Sequence, residues 1–177
     1  MSTQKNVLRE ADSMEENELR LDIDKAEQIV DALNTDLAAT YVLYHQLRKH
    51  HWNVEGAEYR DLHLFLGEAA EEAEQAADEI AERIQAIGGV PISGPAAQEE
   101  HSPVGFEGED IYDIRTSLEN DMEMYGDIIE TVRDHIELAD NLGDHATAEM
   151  LRQQLLELEE FAHTIDHFLG EDSLTEY

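Results

Sequence analysis

Four side chains combine types and spacings that could do chemistry: His51, His63, Asp78 and Glu82. Helix-type spacing of apolar residues is broken near Asn53 and Gly56, and a helical hairpin folded at about residue 57 sets His51 opposite His63. Two imidazoles can converge there. Asp78 and Glu82 follow on the second helix within an arc of about 100° of His63, but at about 1.5 Å of rise per residue they lie roughly 22 to 28 Å from it. One chain cannot close this set. Two copies of the second helix, packed antiparallel about a two-fold axis near residues 71 and 72, would bring each His pair to the partner's Asp-x-x-x-Glu pair, giving two equivalent sites per dimer. Mixed imidazole and carboxylate ligands with open positions suit Fe(II) and other borderline divalent ions, whereas an all-oxygen set favours Mg or Ca. Iron is therefore the ion expected. Taken singly, an Asp-x-x-x-Glu pair is an ordinary solvated face and either His an ordinary structural residue; their mutual register makes them a constellation.

The elements that must position these groups are helices. All three Pro and five of the ten Gly fall between 88 and 108, the one long break in the chain. Apolar residues at three- and four-residue steps predict helices over 24–51, 58–87, 110–140 and 144–169, with a short helix near 95–101 inside the break. Each long helix would span about 40 Å. Short loops join the first to the second and the third to the fourth, so each pair forms an antiparallel hairpin, and the long connection can run the length of the bundle. The fold class expected is all-α, a ferritin-like four-helix bundle with a short helix in the crossover. Residues 1–23 read as a flexible acidic tail, 24–170 as the bundle and 171–177 as a short second tail. Such bundles commonly hold a di-iron site in their own core, built with two Glu-x-x-His pairs. Only one of the nine His, His163 after Glu160, has that spacing. An in-core site is not expected.

Forty-three Asp and Glu against eleven Lys and Arg give a net charge of −32 over 177 residues. Charge-driven binding to nucleic acid or anionic membrane is disfavoured. Only three of the cations are Lys, and a chain this acidic suits molar salt, where the Debye length shrinks to about 3 Å; the composition reads as that of a halophile's protein. The absence of Cys removes disulfides and thiolate sites. No apolar run approaches a membrane span or a signal core, so a cytoplasmic location is expected.

The stretch His51-Trp52-Asn53-Val54-Glu55-Gly56, then Tyr59, Leu62-His63, Asp78, Ala81-Glu82-Arg83-Ile84 and Gly88-Gly89-Val90-Pro91, resembles the Dps family of mini-ferritins, and the acidity resembles its halophilic archaeal members. The resemblance implies a homo-dodecameric shell and ferroxidase centres shared across two-fold interfaces, with His51 and His63 from one subunit and Asp78 and Glu82 from its neighbour as iron ligands. It also implies that Trp52 lies near the iron and can trap oxidising equivalents; its other reading, as an aromatic plug at a helix end, is compatible. One departure stands out: the family commonly has Asp four residues after the second His, and here that residue is Gly67. Glu71 or water would take its place. Glu71 and Glu74 share the His63 face and either bind transiting iron, or seed mineral, or form plain acidic surface. Asp144 and Glu149 either line an entry pore or do the same.

The function expected is oxidation of Fe(II) by peroxide or dioxygen and storage of Fe(III) in the shell, an enzyme activity that protects DNA indirectly. Two alternatives are direct DNA compaction and a metal-free helical scaffold. Compaction needs a basic tail, yet residues 1–23 carry three cations against six carboxylates. A haem-binding relative would use a Met on the second helix, and neither of the first two helices has one.

Overall fold

The computed structural model describes residues 6–170, and five helices account for most of them. Helix α1 (Ile23–Asn53) starts where the Asp22 carboxylate accepts from the backbone N–H groups of Asp24 and Lys25. Helix α2 (Tyr59–Ala86) follows after a short turn, and α3 (Pro95–His101), with Pro at its first position, occupies the crossover. Helix α4 (Ile114–Leu142) begins four residues later than its periodicity suggests. Asp113 decides this, since its side chain accepts from Thr116 N at 3.1 Å and from Thr116 Oγ1 at 2.7 Å. Helix α5 (His145–Leu169) is capped by Asp144, which accepts from Thr147 N at 3.1 Å.

α1 packs along α2 and α4, α4 along α5, and α3 lies against α1. Leu33, Leu37, Leu43 and Leu47 of α1 meet Leu66, Ile80 and Ile84 of α2 and Tyr125, Ile128 and Leu151 of the second hairpin, all almost fully buried. The small inward residues Ala69, Ala70, Ala73 and Ala77 on α2 let α1 approach closely along a matched seam. There is no strand among the described residues, and no helix is long and apolar enough to cross a membrane.

The segment before α1 departs from the reading as a flexible tail. Glu15 N and Arg9 Nη2 both donate to the carbonyl of Gly88, at 2.9 and 2.6 Å, and Met14 and Leu21 pack on the core. The carbonyls at a helix end need donors, and this segment supplies them to the end of α2. Gly88 has φ +96°, and a Cβ there would stand 2.1 Å from the Glu15 carbonyl oxygen. Only glycine admits the strap. Apolar residues scattered through an acidic stretch leave no helical period to read, which is why the anchoring escapes the sequence. Residues 1–5 and the tail at 171–177 lie outside the described residues.

A buried polar network fastens the return limb of the crossover to α1 and α4. His50 donates from Nδ1 to Asp121 at 2.8 Å and from Nε2 to Glu107 at 2.6 Å, so its ring carries both protons. Lys49 donates to Glu107 at 2.6 Å and to the Gly108 carbonyl at 2.7 Å; Gln46 donates to Asp121 at 3.0 Å and Asn120 to Glu107 at 2.6 Å. Two cations face two carboxylates with nearly every polar atom satisfied. Burial alone would lower the His50 pKa, but the hydrogen bonds and charges of Asp121 and then Glu107 outweigh it, and the net shift is upward.

Candidate metal centre

The turn between α1 and α2 places His51 on the last turn of one helix and His63 on the second turn of the other. Their rings stack with centroids 3.9 Å apart and planes 16° from parallel. His51 Nδ1 donates to the carbonyl of His63 at 2.6 Å, and His63 Nδ1 donates to the carbonyl of His51 at 2.8 Å. A carbonyl can only accept, so each Nδ1 carries the proton and each Nε2 of the neutral ring keeps its lone pair. The reciprocal bonds thus fix both tautomers in the form that binds metal, the role that outer hydrogen bonds play for ligating imidazoles generally. Both side chains are half-buried.

Two further residues on the same face of α2 shape this pair. Tyr59, one turn before His63, stacks on it at 5.2 Å between centroids. Gly67, one turn after, lies beneath the His51 ring, and a Cβ there would meet His51 Cε1 at 3.0 Å and Nδ1 at 3.1 Å. The glycine is thus more than a missing ligand, because it makes room for the imidazole. Spacing i, i+4 from His63 was the available signal for both residues; what lies over them depends on the facing helix. Gly67→Ala therefore separates stability from chemistry. Helix propensity favours Ala by about 1 kcal/mol and the displaced ring weakens its hydrogen bond to the His63 carbonyl by a similar amount, so the melting temperature should change little, while displacement of the pinned ring lowers Fe(II) oxidation severalfold. Thermal melts and initial oxidation rates on one preparation check both halves.

The remaining predicted ligands are not brought to the pair within one chain. Glu71, Glu74, Asp78 and Glu82 are exposed along α2, at about 12 Å from His63 for the first and roughly 28 Å for the last. Among the described residues no three His, Asp or Glu side chains of one chain are grouped to hold a metal ion. Glu71 therefore does not stand in for a ligand at Gly67 within its own subunit. Trp52 is 71% exposed and lines an outer recess with Tyr41, His45, Gln98 and Phe106. Asp144 is buried and holds Arg83 through Nη2 at 2.7 and 2.9 Å, joining α2 to the start of α5, whereas Glu149 is exposed. Burial would raise the Asp144 pKa, yet Arg83 and Thr147 hold it below the usual carboxylate value. Within the subunit it is therefore engaged with Arg83 and Thr147 and is not plain acidic surface. The lone Glu-x-x-His pair, Glu160 and His163, is exposed on α5. At the waist of the bundle, Asp36, Glu72 and Glu157 line a cavity of about 30 Å³, room for one or two waters.

Four long helices joined in two hairpins by a long crossover form a ferritin-like bundle, and residues 30–175 match the family model of the ferritin-like domain. Over 175 residues the chain is 65% identical to the DNA protection during starvation protein of Halobacterium salinarum, covering 98% of this chain and 96% of that one. The crystal structure of an archaeal Dps homologue from Halobacterium salinarum superposes with TM-score 0.94 at 64% identity, covering 99% and 98% of the two chains. Dps from Vibrio cholerae, described as a member of a broad superfamily of ferritin-like diiron-carboxylate proteins, superposes with TM-score 0.83 at 26% identity, covering 89% and 99%. The chain belongs to the Dps family.

Proposed function

We propose that this protein oxidises Fe(II) with peroxide or dioxygen at centres shared between subunits and stores the Fe(III) inside a hollow dodecamer. The observation that carries this reading is the reciprocal clasp of His51 and His63, which presents two lone pairs at the end of a helix whose far half carries Asp78 and Glu82. Iron is here the substrate and cargo. The imidazoles would orient it from one subunit, and the carboxylates of the neighbour would offset its charge. Two Fe(II) held together supply both electrons that reduce one peroxide to two waters, with two protons taken up, so no hydroxyl radical is released. The acidic surface raises the local concentration of cations and favours ferric nucleation, and the description of the Vibrio relative as a diiron-carboxylate protein agrees with this chemistry. A cytoplasmic location fits the reading.

Purified apoprotein at molar salt, given Fe(II) and peroxide, tests it. Oxidation should be fast in the natural chain and lost in a His63→Ala, Asp78→Ala double variant; unchanged oxidation would overturn the site.

Protection of DNA follows indirectly from removal of Fe(II) and peroxide. Relatives named for DNA binding, such as the nutrient stress-induced DNA-binding protein of Synechococcus, 34% identical over 172 residues, raise the direct alternative. The charge of −32 opposes it. The assembled protein should leave duplex DNA unretarded in a gel at physiological ionic strength, and retardation that disappears with added salt would restore the direct reading.

A further inference from the structure

Helix α5 carries a second histidine pair that plays no part in the site above. His163 and His167 stand one turn apart on its exposed face, with ring centroids 4.3 Å apart, planes crossed at 71° and the two Nε2 atoms 3.0 Å from one another. Nitrogens that each sit about 2.1 Å from one metal ion and subtend a right angle at it are about 3.0 Å apart, whereas a tetrahedral angle would open them to about 3.4 Å. The pair thus has the spacing of two adjacent ligands in an octahedral or square arrangement. Without an ion, one Nε2 must donate its proton to the other, a contact that a metal replaces with two coordinate bonds. No carboxylate is grouped with them among the described residues, so water completes the shell and the nitrogens set the preference.

We infer that His163 and His167 form a second site, owned by one chain, for a borderline divalent transition-metal ion. Affinity rises from Co(II) through Ni(II) to Cu(II), the order expected of an imidazole pair with free geometry. The position is also informative. Phe161 and Phe168, on the same two turns of α5, pack against Phe65 with centroids 5.7 and 5.5 Å away, and Phe65 follows His63 by two residues. The second pair is therefore at the same end of the bundle as the first. The two differ in what completes them: the α5 pair needs nothing from a neighbour.

Ni(II) is the probe, since it does not react with peroxide as Fe(II) does. Equilibrium dialysis of the assembled protein in molar KCl, where loose adsorption to surface carboxylates is screened, counts ions per chain. His163→Ala and His167→Ala should each lose about one Ni(II) per chain relative to the natural sequence while Fe(II) oxidation keeps its rate. Both positions are exposed and Ala is the better helix former, so the variants fold. Unchanged Ni(II) stoichiometry in either variant would overturn the inference. This outcome is independent of the ferroxidase reading, which is judged by the oxidation rate.

Discussion

His63→Ala and Asp78→Ala chains, each strongly impaired alone, should regain Fe(II) oxidation when unfolded together and reassembled. In a two-fold dimer with one chain of each kind, one site lacks both the His and the Asp, and the other keeps every ligand. Random pairing makes half of the dimers mixed, so a one-to-one preparation should recover about a quarter of the natural rate. Each single variant, missing a proposed iron ligand, should fall by at least the about 10- to 100-fold typical of losing an outer partner of a metal ligand. Mixing preassembled shells should recover nothing, which separates shared sites from free exchange of iron. Activity of a mixed preparation no higher than that of its parents would show that both residues serve the same chain. The α2 geometry argues otherwise, because roughly 22 Å of helix separates the two within a subunit.

Asp121→Ala should produce the largest loss of stability among substitutions outside the metal pair. Asp121 is fully buried and accepts from both His50 and Gln46. Its removal leaves a buried imidazolium short of a counter-charge and an amide short of an acceptor, a defect that costs about 3 to 5 kcal/mol. Chemical denaturation at constant ionic strength would read this as a lower midpoint with an unchanged slope. The same network sets a pH dependence. His50 has a folded pKa above that of free imidazole, so its stabilisation is complete below the unfolded value of about 6.5 and is lost as pH rises through the folded one. His135 has the same sign: burial works against its proton, but the hydrogen bond and charge of Asp36 prevail. His50→Gln should therefore flatten the decline above neutrality without abolishing it, and an unaltered pH profile would show that His50 carries no linked proton.

The sequence yields the scaffold because long helices with interior stripes of Leu, Ile and Ala have one simple period, and because Pro91, Pro95 and Pro103 fall in one interval. The register of the first hairpin follows from loop position alone, and it brings His51 to His63. Other features are legible only with partners in view. Glu107, Asp121 and Lys49 resemble the surface residues that dominate so acidic a chain, and nothing in their spacing says that they pair in the interior. Gly67 reads as a weak point in a helix until the imidazole above it is known. The strap from Arg9 to Glu15 depends on one carbonyl at Gly88, a backbone group that no pattern of side chains reports. The carboxylate half of the proposed centre is legible as a spacing, but its completion belongs to a second subunit.

The clasp between His51 and His63 has an evolutionary corollary. Each ring uses one nitrogen to hold the neighbouring helix and, in the proposed centre, keeps the other for ions, so either residue would be under two selective pressures at once. A descendant that abandoned ferrous substrates would still be penalised for replacing them, whereas Asp78 and Glu82, exposed and unencumbered within the subunit, would drift first. Among homologues that have lost the activity, the imidazoles should outlast the acids.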